Sequence, residues 1–243
     1  MAYLFVGEGR EYLLEPGETL ESDLGILEVP EGVAAGETVE THLGTEFVAR
    51  ELRGPDLFHH FERTGAPMMP RDIGLVMGHT GVKQGDHVLD AGTGTGVLAA
   101  SLGRAGAEVL SYEQDPEFAE VARENMELGS VADAVEVRAG DVTEEIDELT
   151  GSAFDLVTLD TADAPTVVAR APELLAPGGF LAVYSPFVEA TSEVVETARE
   201  AGLEEVESLE TIQREMDVGD RGTRPSTAGV GHTGYLTFAR NPV

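Results

Sequence analysis

The chain has 243 residues, of which 46 are acidic and 15 basic, for a formal net charge of -31. With 42% apolar and 25% charged residues it can bury a core, which excludes wholesale disorder, and its length suits one main domain plus a small one. The lack of cysteine removes disulfides, thiolate metal sites and a cysteine nucleophile.

Residues 1 to about 60 read as short extended runs, YLFVG, REYLLE, GILEV and EFVAREL, separated by turn signals at Pro16-Gly17, Pro30-Glu31-Gly32 and Gly44. A small amino-terminal β domain is expected there, followed by a larger domain over 61–243. From about residue 85 apolar runs alternate with helical stretches: HVLDA, VLAASLGRA, EVLSYE and PEFAEVARENMEL. VEVRAGD, FDLVTLD and GFLAVYSP supply three further strands, with helices expected near 166–175 and 191–201. Such alternation predicts an α/β fold with a mostly parallel sheet and right-handed crossovers. ESLETIQREM and GYLTFAR read as a closing pair of strands. No run reaches the roughly 20 apolar residues of a membrane span, and the start lacks the features of a signal peptide, so a cytoplasmic location is expected.

A charge of -31 would ordinarily reject nucleic acid, because binding a polyanion needs a basic face. Here, however, Lys83 is the sole lysine against fourteen arginines, a balance that resembles proteins of extreme halophiles. At about 1 M salt the Debye length falls to roughly 3 Å, so local charge matters more than the total. Residues 221–243 contain no Asp or Glu, where an even spread would place about four, and hold Arg221, Arg224 and Arg240. The segment suits either a phosphate-facing surface or a partly buried strand. Arg63 to Arg71 is also free of acids.

The first strand of the larger domain runs into DAGTGTG, Asp90 to Gly96, ahead of a helix. Glycines let backbone approach a ligand at a helix amino end and the strand mouths. Alone the loop is ambiguous: Gly94, Gly96 and Ala99 also fit a dinucleotide pattern, with Glu113 near the spacing of a ribose-binding acid. Asp90, the spacing Gly92, Gly94, Gly96, and Asp141 after the next strand together resemble a class I S-adenosylmethionine methyltransferase, a Rossmann-like fold. Asp90 suits a methionine ammonium directly or through water, Glu113 a ribose diol and Asp141 an adenine N6 donor, with helix or loop capping as the alternative role. Thr93, Val97 and Leu98 complete the expected cofactor-binding set, together with Asp160 at the end of FDLVTLD.

Nearly end to end, the chain also resembles the tRNA (adenine-N1)-methyltransferase family of the TrmI type, which modifies adenosine 58 of the T loop. The resemblance rests on DLGILEV, RTGAPMMPRD, VLDAGTGTG, SYEQDPEFAEVARENM, LDTADAP, AVYSP and RPSTAGVGHTGYLTFAR. It implies S-adenosyl-L-methionine as cofactor, tRNA as substrate, a homotetramer, and adenosine 57 as a further target in archaeal relatives. No metal is implied, and His59 and His60 lack partners for a metal set.

In the implied chemistry adenine N1 attacks the sulfonium methyl with its in-plane lone pair, so no strong base is needed. Positive charge moves onto the purine, and Asp160 is expected to stabilise it and orient the ring, with Asp163 a weaker choice. Tyr184 of AVYSP is a wall for the flipped base or a core residue. Met69 stands where relatives often carry Tyr or His, and Ala66 where many have glutamine; Met69 is expected to meet the base through its thioether. His232 either braces the site through a backbone carbonyl or meets a phosphate. Arg63, Arg221 and Arg224 are expected phosphate contacts, with surface ion pairing as the alternative.

Three other functions stay open from the residues alone. They are a nicotinamide-dependent dehydrogenase, a methyltransferase acting on a small molecule or protein carboxyl, and a noncatalytic tRNA-binding subunit.

Overall fold

The computed structural model describes residues 2–229 and 231–243, so Val230 of the closing motif lies outside the described residues. Six short strands come first: β1 (Tyr3–Gly7), β2 (Arg10–Leu14), β3 (Thr19–Ser22), β4 (Gly25–Glu28), β5 (Thr38–Glu40) and β6 (Glu46–Arg50). Four of them form an antiparallel sheet of order β2-β1-β6-β5, and β3 pairs with β4 as a separate hairpin. Alternation in EFVAR turns Phe47 and Ala49 inward, where they meet Phe5, Leu14, Leu27, Val29 and Val33 in a small core.

Two helices, α1 (Gly54–His60) and α2 (Pro70–Thr80), lead into the larger unit. Leu57 of α1 and Phe61 just after it are buried in the larger core, so the packing seam lies between Arg50 and Gly54. The chain then alternates through β7 (His87–Ala91), α3 (Val97–Arg104), β8 (Glu108–Glu113), α4 (Pro116–Leu128), β9 (Val135–Ala139) and α5 (Val142–Leu149). It continues with β10 (Phe154–Leu159), α6 (Ala164–Leu174), β11 (Leu175–Ser185), α7 (Val188–Glu200) and β12 (Glu204–Glu210). A hairpin, β13 (Met216–Gly219) and β14 (Gly222–Pro225), precedes the last strand, β15 (Tyr235–Arg240).

Seven strands form the central sheet in the order β12-β15-β11-β10-β7-β8-β9. Strands β7 to β11 run parallel, and β15 is antiparallel to both β11 and β12. Because side chains alternate along each strand, the sheet feeds two cores. Val88, Val109, Leu156, Leu236 and Phe238 pack with α1 to α4, whereas Leu89, Val157, Leu181, Val183 and Ala239 pack with α5 to α7. Strand order reverses beside β7, whose neighbours are β10 and β8, so a crevice opens where their carboxyl ends diverge.

The closing strands differ from the sequence expectation in extent. Strand β12 ends at Glu210, well before Met216, and GYLTFAR supplies the buried β15. Within the acid-free 221–243 segment β15 is a partly buried strand, as one reading expected, whereas β14, paired with β13 in a hairpin, stands exposed along its whole length.

Candidate active site

Asp90 ends the buried strand β7 in register with Ser111 of β8 and Thr158 of β10. Ser111 Oγ donates to its Oδ2 and Thr158 Oγ1 to its Oδ1, each at 2.6 Å. Asp90 is only 3% exposed, and burial above all raises its pKa, against the pull of these two hydroxyls. It therefore braces the loop from beneath, and the hydroxyls satisfy its oxygens on the sheet side.

Above it the glycine loop comes within contact of β10. A side chain at Gly92 would put its Cβ 2.1 Å from the carbonyl oxygen of Asp160, and Gly92 has a φ of 89°. Only glycine permits this backbone approach. Tyr112 O accepts from the Gly92 N–H at 2.9 Å, and Ala91 O from the Asp160 N–H at 2.8 Å, which fixes the two strand ends side by side. Gly94 N–H donates to Glu113 Oε2 at 2.8 Å, drawing the end of β8 onto the loop.

Two adjoining cavities of about 320 and 60 Å³ share the walls Thr64, Gly65, Ala66, Gly92, Gly94 and Asp160. Glu113 and Asp141 line the larger; Asp90, Thr93, Gly96, Val97 and Leu98 line the smaller. The structure thus brings together all of the residues expected from sequence to hold the cofactor. Asp160 stands at their junction, accepts no side-chain hydrogen bond among the described residues, and is pushed up to about 7. Burial is the main cause, followed by the charges of Asp90 and Glu113. No Lys, Arg or His among the described residues lines either cavity. A group of carboxylates, with Asp90 buried and Glu113, Asp141 and Asp160 half-buried, and no cation beside it favours a positively charged ligand, and the chemistry of the donor set fits one carrying hydroxyls as well.

Asp141 does double work. It caps α5, with Oδ1 accepting from Thr143 N–H at 2.8 Å and Thr143 Oγ1 at 2.7 Å, and its Oδ2 accepts from Gln114 Nε2 at 3.0 Å. Those Thr143 bonds hold its carboxyl below the usual range. Gln114 also donates to Asp163 Oδ2 at 3.2 Å and so spans the cavity wall, a role with no signal in the sequence reading. Asn125 was missed as well: its amide donates to Glu62 O and Thr95 O and accepts from Glu62 N–H, pinning the 62–66 wall to the glycine loop. An asparagine at the helical spacing of Ala119, Ala122 and Met126, on the apolar face of the amphipathic α4, is the cue that could have found it, and in the fold it is 3% exposed.

The residues expected on the acceptor side are more dispersed. Tyr184 lies on β11, and burial raises its phenol, with the nearby charges of Asp160 and Asp72 acting in the same direction. Met69 caps α2 and is 37% exposed, whereas its neighbour Met68 lines the smaller cavity. His232 Nε2 lies 3.0 Å from Pro186 O and Nδ1 2.9 Å from Glu210 Oε1. Both partners accept, so the ring is raised, chiefly by the carbonyl, and acts as a brace. Arg63 donates to Phe58 O and lies over the Phe58 ring. Arg224 pairs with Asp217 at 3.5 Å on the exposed hairpin, and Arg221 sits at its tip with no ion-pair partner among the described residues.

Comparisons with known proteins agree with this geometry. Over 264 aligned residues the chain is 33% identical to a Methanocaldococcus jannaschii tRNA (adenine(57)-N(1)/adenine(58)-N(1))-methyltransferase TrmI, covering 96% of this chain and 92% of the relative. It is 30% identical to the Thermus thermophilus tRNA (adenine(58)-N(1))-methyltransferase TrmI, at 96% and 93% coverage. A SAM-dependent O-methyltransferase structure from Thermotoga maritima superposes with a TM-score of 0.84 at 26% identity, over all of this chain and 93% of that one. Residues 58–223, which carry the glycine loop and the carboxylates around it, match the family model described as tRNA methyltransferase complex GCD14 subunit, and the chain belongs to that family.

Proposed function

We propose that this chain is an S-adenosylmethionine-dependent methyltransferase acting on N1 of adenosine 58 in the T loop of tRNA. The single observation that carries the reading is the cluster of Asp90, Glu113 and Asp160 around the glycine loop with no protein cation to balance it. Glu113 would hold the ribose, Asp141 and Gln114 would face the adenine, and the Thr93–Leu98 turn would carry the methionine end. When bound, the donor supplies a sulfonium methyl group.

The chain's own residues then account for the rest. Adenine N1 has no proton to lose, so Asp160 acts through its charge: it accepts from the exocyclic amine and stabilises the purine as that becomes positive. Its placement beside Asp90 and Glu113 keeps it partly protonated until a cation arrives. Tyr184 closes the acceptor side. The names of the archaeal and Thermus relatives support position 58, and the archaeal one adds position 57. Coverage of 96% brings both terminal segments into the match, and these distinguish a tRNA enzyme from others that share the cofactor half.

A homotetramer is part of the proposal. In the β13–β14 hairpin Met216 pairs with Pro225 and Val218 with Thr223, giving one face of mostly apolar side chains, while Asp217 and Arg224 share the other. Val218 is 78% exposed and Met216 53%, which suits cover by neighbouring copies. Arg221, Arg224 and Arg63 would meet tRNA phosphates. The acidic, lysine-poor composition supports a protein that works in molar salt, and a tRNA substrate supports a cytoplasmic site. Among the described residues no helix is long and apolar enough to cross a membrane.

The test is incubation with labelled methyl donor and unmodified tRNA in molar KCl, followed by nucleoside mapping. Label at N1 of adenosine 58, with or without 57, is expected. Absence of donor binding, or label on another acceptor only, would overturn the proposal.

A further inference from the structure

Asp90 belongs to a row of three polar side chains set across the buried sheet. Ser111 of β8 and Thr158 of β10 flank it in register, both buried, with Thr158 standing between the apolar Val157 and Leu159. A hydroxyl in such a place costs stability unless it is bonded, and both are bonded to the same carboxylate at 2.6 Å. A third hydroxyl joins them from the glycine loop. Thr93 Oγ1 lies 2.5 Å from Ser111 Oγ, and Thr93 is a buried residue of the smaller cavity's wall.

These contacts fix where the protons lie. A hydroxyl has one proton and two lone pairs, and an ionised carboxylate only accepts. Ser111 and Thr158 therefore each spend their proton on Asp90. With its own proton used, Ser111 can only accept from Thr93, so the order runs from Thr93 to Ser111 to Asp90. Thr93 then has lone pairs alone to offer to a group bound in the smaller cavity. A neutral Asp90 would undo this order: a proton on Oδ2 would have to be accepted by Ser111, whose own proton would turn to Thr93.

The surroundings work against the charge. Burial opposes it, and so does Glu113 at the end of β8, while the two hydroxyls favour it. Asp160, just after β10, repels Asp90 as well. The glycine loop, the first turn of α3 and the 64–68 wall bring no titratable group. Ser111 and Thr158 are thus the groups that favour a charged Asp90.

We propose that Ser111 and Thr158 are positioning residues for the methyl donor: they keep Asp90 a carboxylate and, through Ser111, keep the Thr93 hydroxyl turned to accept, so that the donor's ammonium group meets acceptors only. This rests on the methyl-transfer reading above and deepens it by naming what holds the charge beneath the glycine loop.

The test uses S111A and T158V, which each delete one hydroxyl with little change of shape, and T158S, which keeps it. Affinity for S-adenosylmethionine is measured by calorimetry between about pH 5 and 9. Only a charged Asp90 holds the cation, so affinity falls as pH drops through the Asp90 midpoint, and loss of a hydroxyl moves that midpoint up. Dividing each variant's Kd by the wild-type Kd at the same pH cancels the titration of the donor's own amine. The ratio should be about tenfold at the acid end and fall toward one as pH rises, with T158S near one throughout. The donor-free protein gives a second readout. The carbon-13 carboxyl resonance of Asp90, assigned by its loss in D90N, should titrate at higher pH in S111A and T158V and stay with wild type in T158S. A Kd ratio that ignores pH, or an unmoved Asp90 midpoint, would overturn the proposal. A wild-type chain that binds no S-adenosylmethionine would remove the methyl-donor reading and the proposal with it, and the carboxyl titration would tell that failure apart from a mistaken proton order.

Discussion

Replacing Asp160 by Asn should make the ligand-free protein more stable and the enzyme nearly inactive. The carboxyl is raised from its ordinary 3.8 to about 7 by burial and by the charges of Asp90 and Glu113. Holding its charged form in the fold then costs about 4 kcal/mol at most when the pH is well above 7. The sign follows from linkage. A group whose folded pKa lies above its unfolded value contributes stability that is complete below about pH 3.8 and is lost as pH rises through about 7. Asp160→Asn removes that loss while keeping the shape. Urea denaturation of both proteins in the same salt, without donor, should therefore give a gap in favour of the variant. The gap should widen by about 1.4 kcal/mol per pH unit between pH 5 and 7 and then level off. Saturating donor should reverse the order, because a bound cation stabilises only the protein that supplies the carboxylate. Methyl transfer by the variant should fall by at least ~100-fold. A variant no more stable than wild type at pH 8, or a gap that ignores pH, would refute the claim that the site stores this electrostatic cost.

Gly92→Ala should destabilise the fold by about 2 kcal/mol or more and abolish donor binding, measured by denaturation and calorimetry, because its Cβ would meet the Asp160 carbonyl at 2.1 Å from a positive-φ position. Val218→Asp, on the exposed hairpin, should reduce the assembly mass in light scattering while leaving donor affinity unchanged; an unaltered mass would remove the hairpin from the interface. Replacing Arg221 and Arg224 together by Ala should weaken tRNA binding by about tenfold in filter-binding assays with little effect on donor affinity. Equal tRNA affinity would take both off the contact surface.

The clustering of the residues of the proposed donor half is legible in the sequence because its signals are local. Glycine spacing, an acid before the loop and acids at the ends of later strands each occupy a few consecutive residues, and the alternation of strands and helices places them on one sheet edge. What escaped depends on register. Ser111 and Thr158 satisfy Asp90 only because β8 and β10 flank β7 at that level, a pairing that no segment contains by itself. Gln114 and Asn125 act across 27 and 63 residues of chain; Gln114 looks like an ordinary polar residue in its own window, and Asn125 shows only as an asparagine on the apolar face of α4, with nothing local to name its partners. The β3 and β5 strands, TLES and TVE, are too short and too polar to show a period. The β13–β14 hairpin went unseen for a related reason: it has no buried side to produce alternation, and its turn is marked only by Gly219 and Gly222 around Asp220-Arg221.

A chain with 31 more negative than positive side chains can still grip a polyanion, and the ion pairs suggest how. Most arginines are spent on carboxylates: Arg10, Arg50, Arg53, Arg71, Arg123, Arg138, Arg170, Arg224 and Arg240 each lie within 4 Å of an Asp or Glu oxygen. Among the described residues the other five, Arg63, Arg104, Arg199, Arg214 and Arg221, have no such partner; of these Arg63 adjoins the 64–66 cavity wall and Arg221 sits at the tip of the exposed hairpin. Exposed pairs are weak, so Arg224 can exchange Asp217 for a phosphate at little cost. In molar salt the field of distant carboxylates decays within about 3 Å, whereas a guanidinium in contact with phosphate keeps its hydrogen bonds. The same screening barely reaches Asp90, which is buried away from mobile ions. In a protein that works in molar salt, as proposed above, screening would remove the global repulsion to tRNA and leave the charge of the proposed donor site intact, so that one acidic protein could hold both a cation and a polyanion.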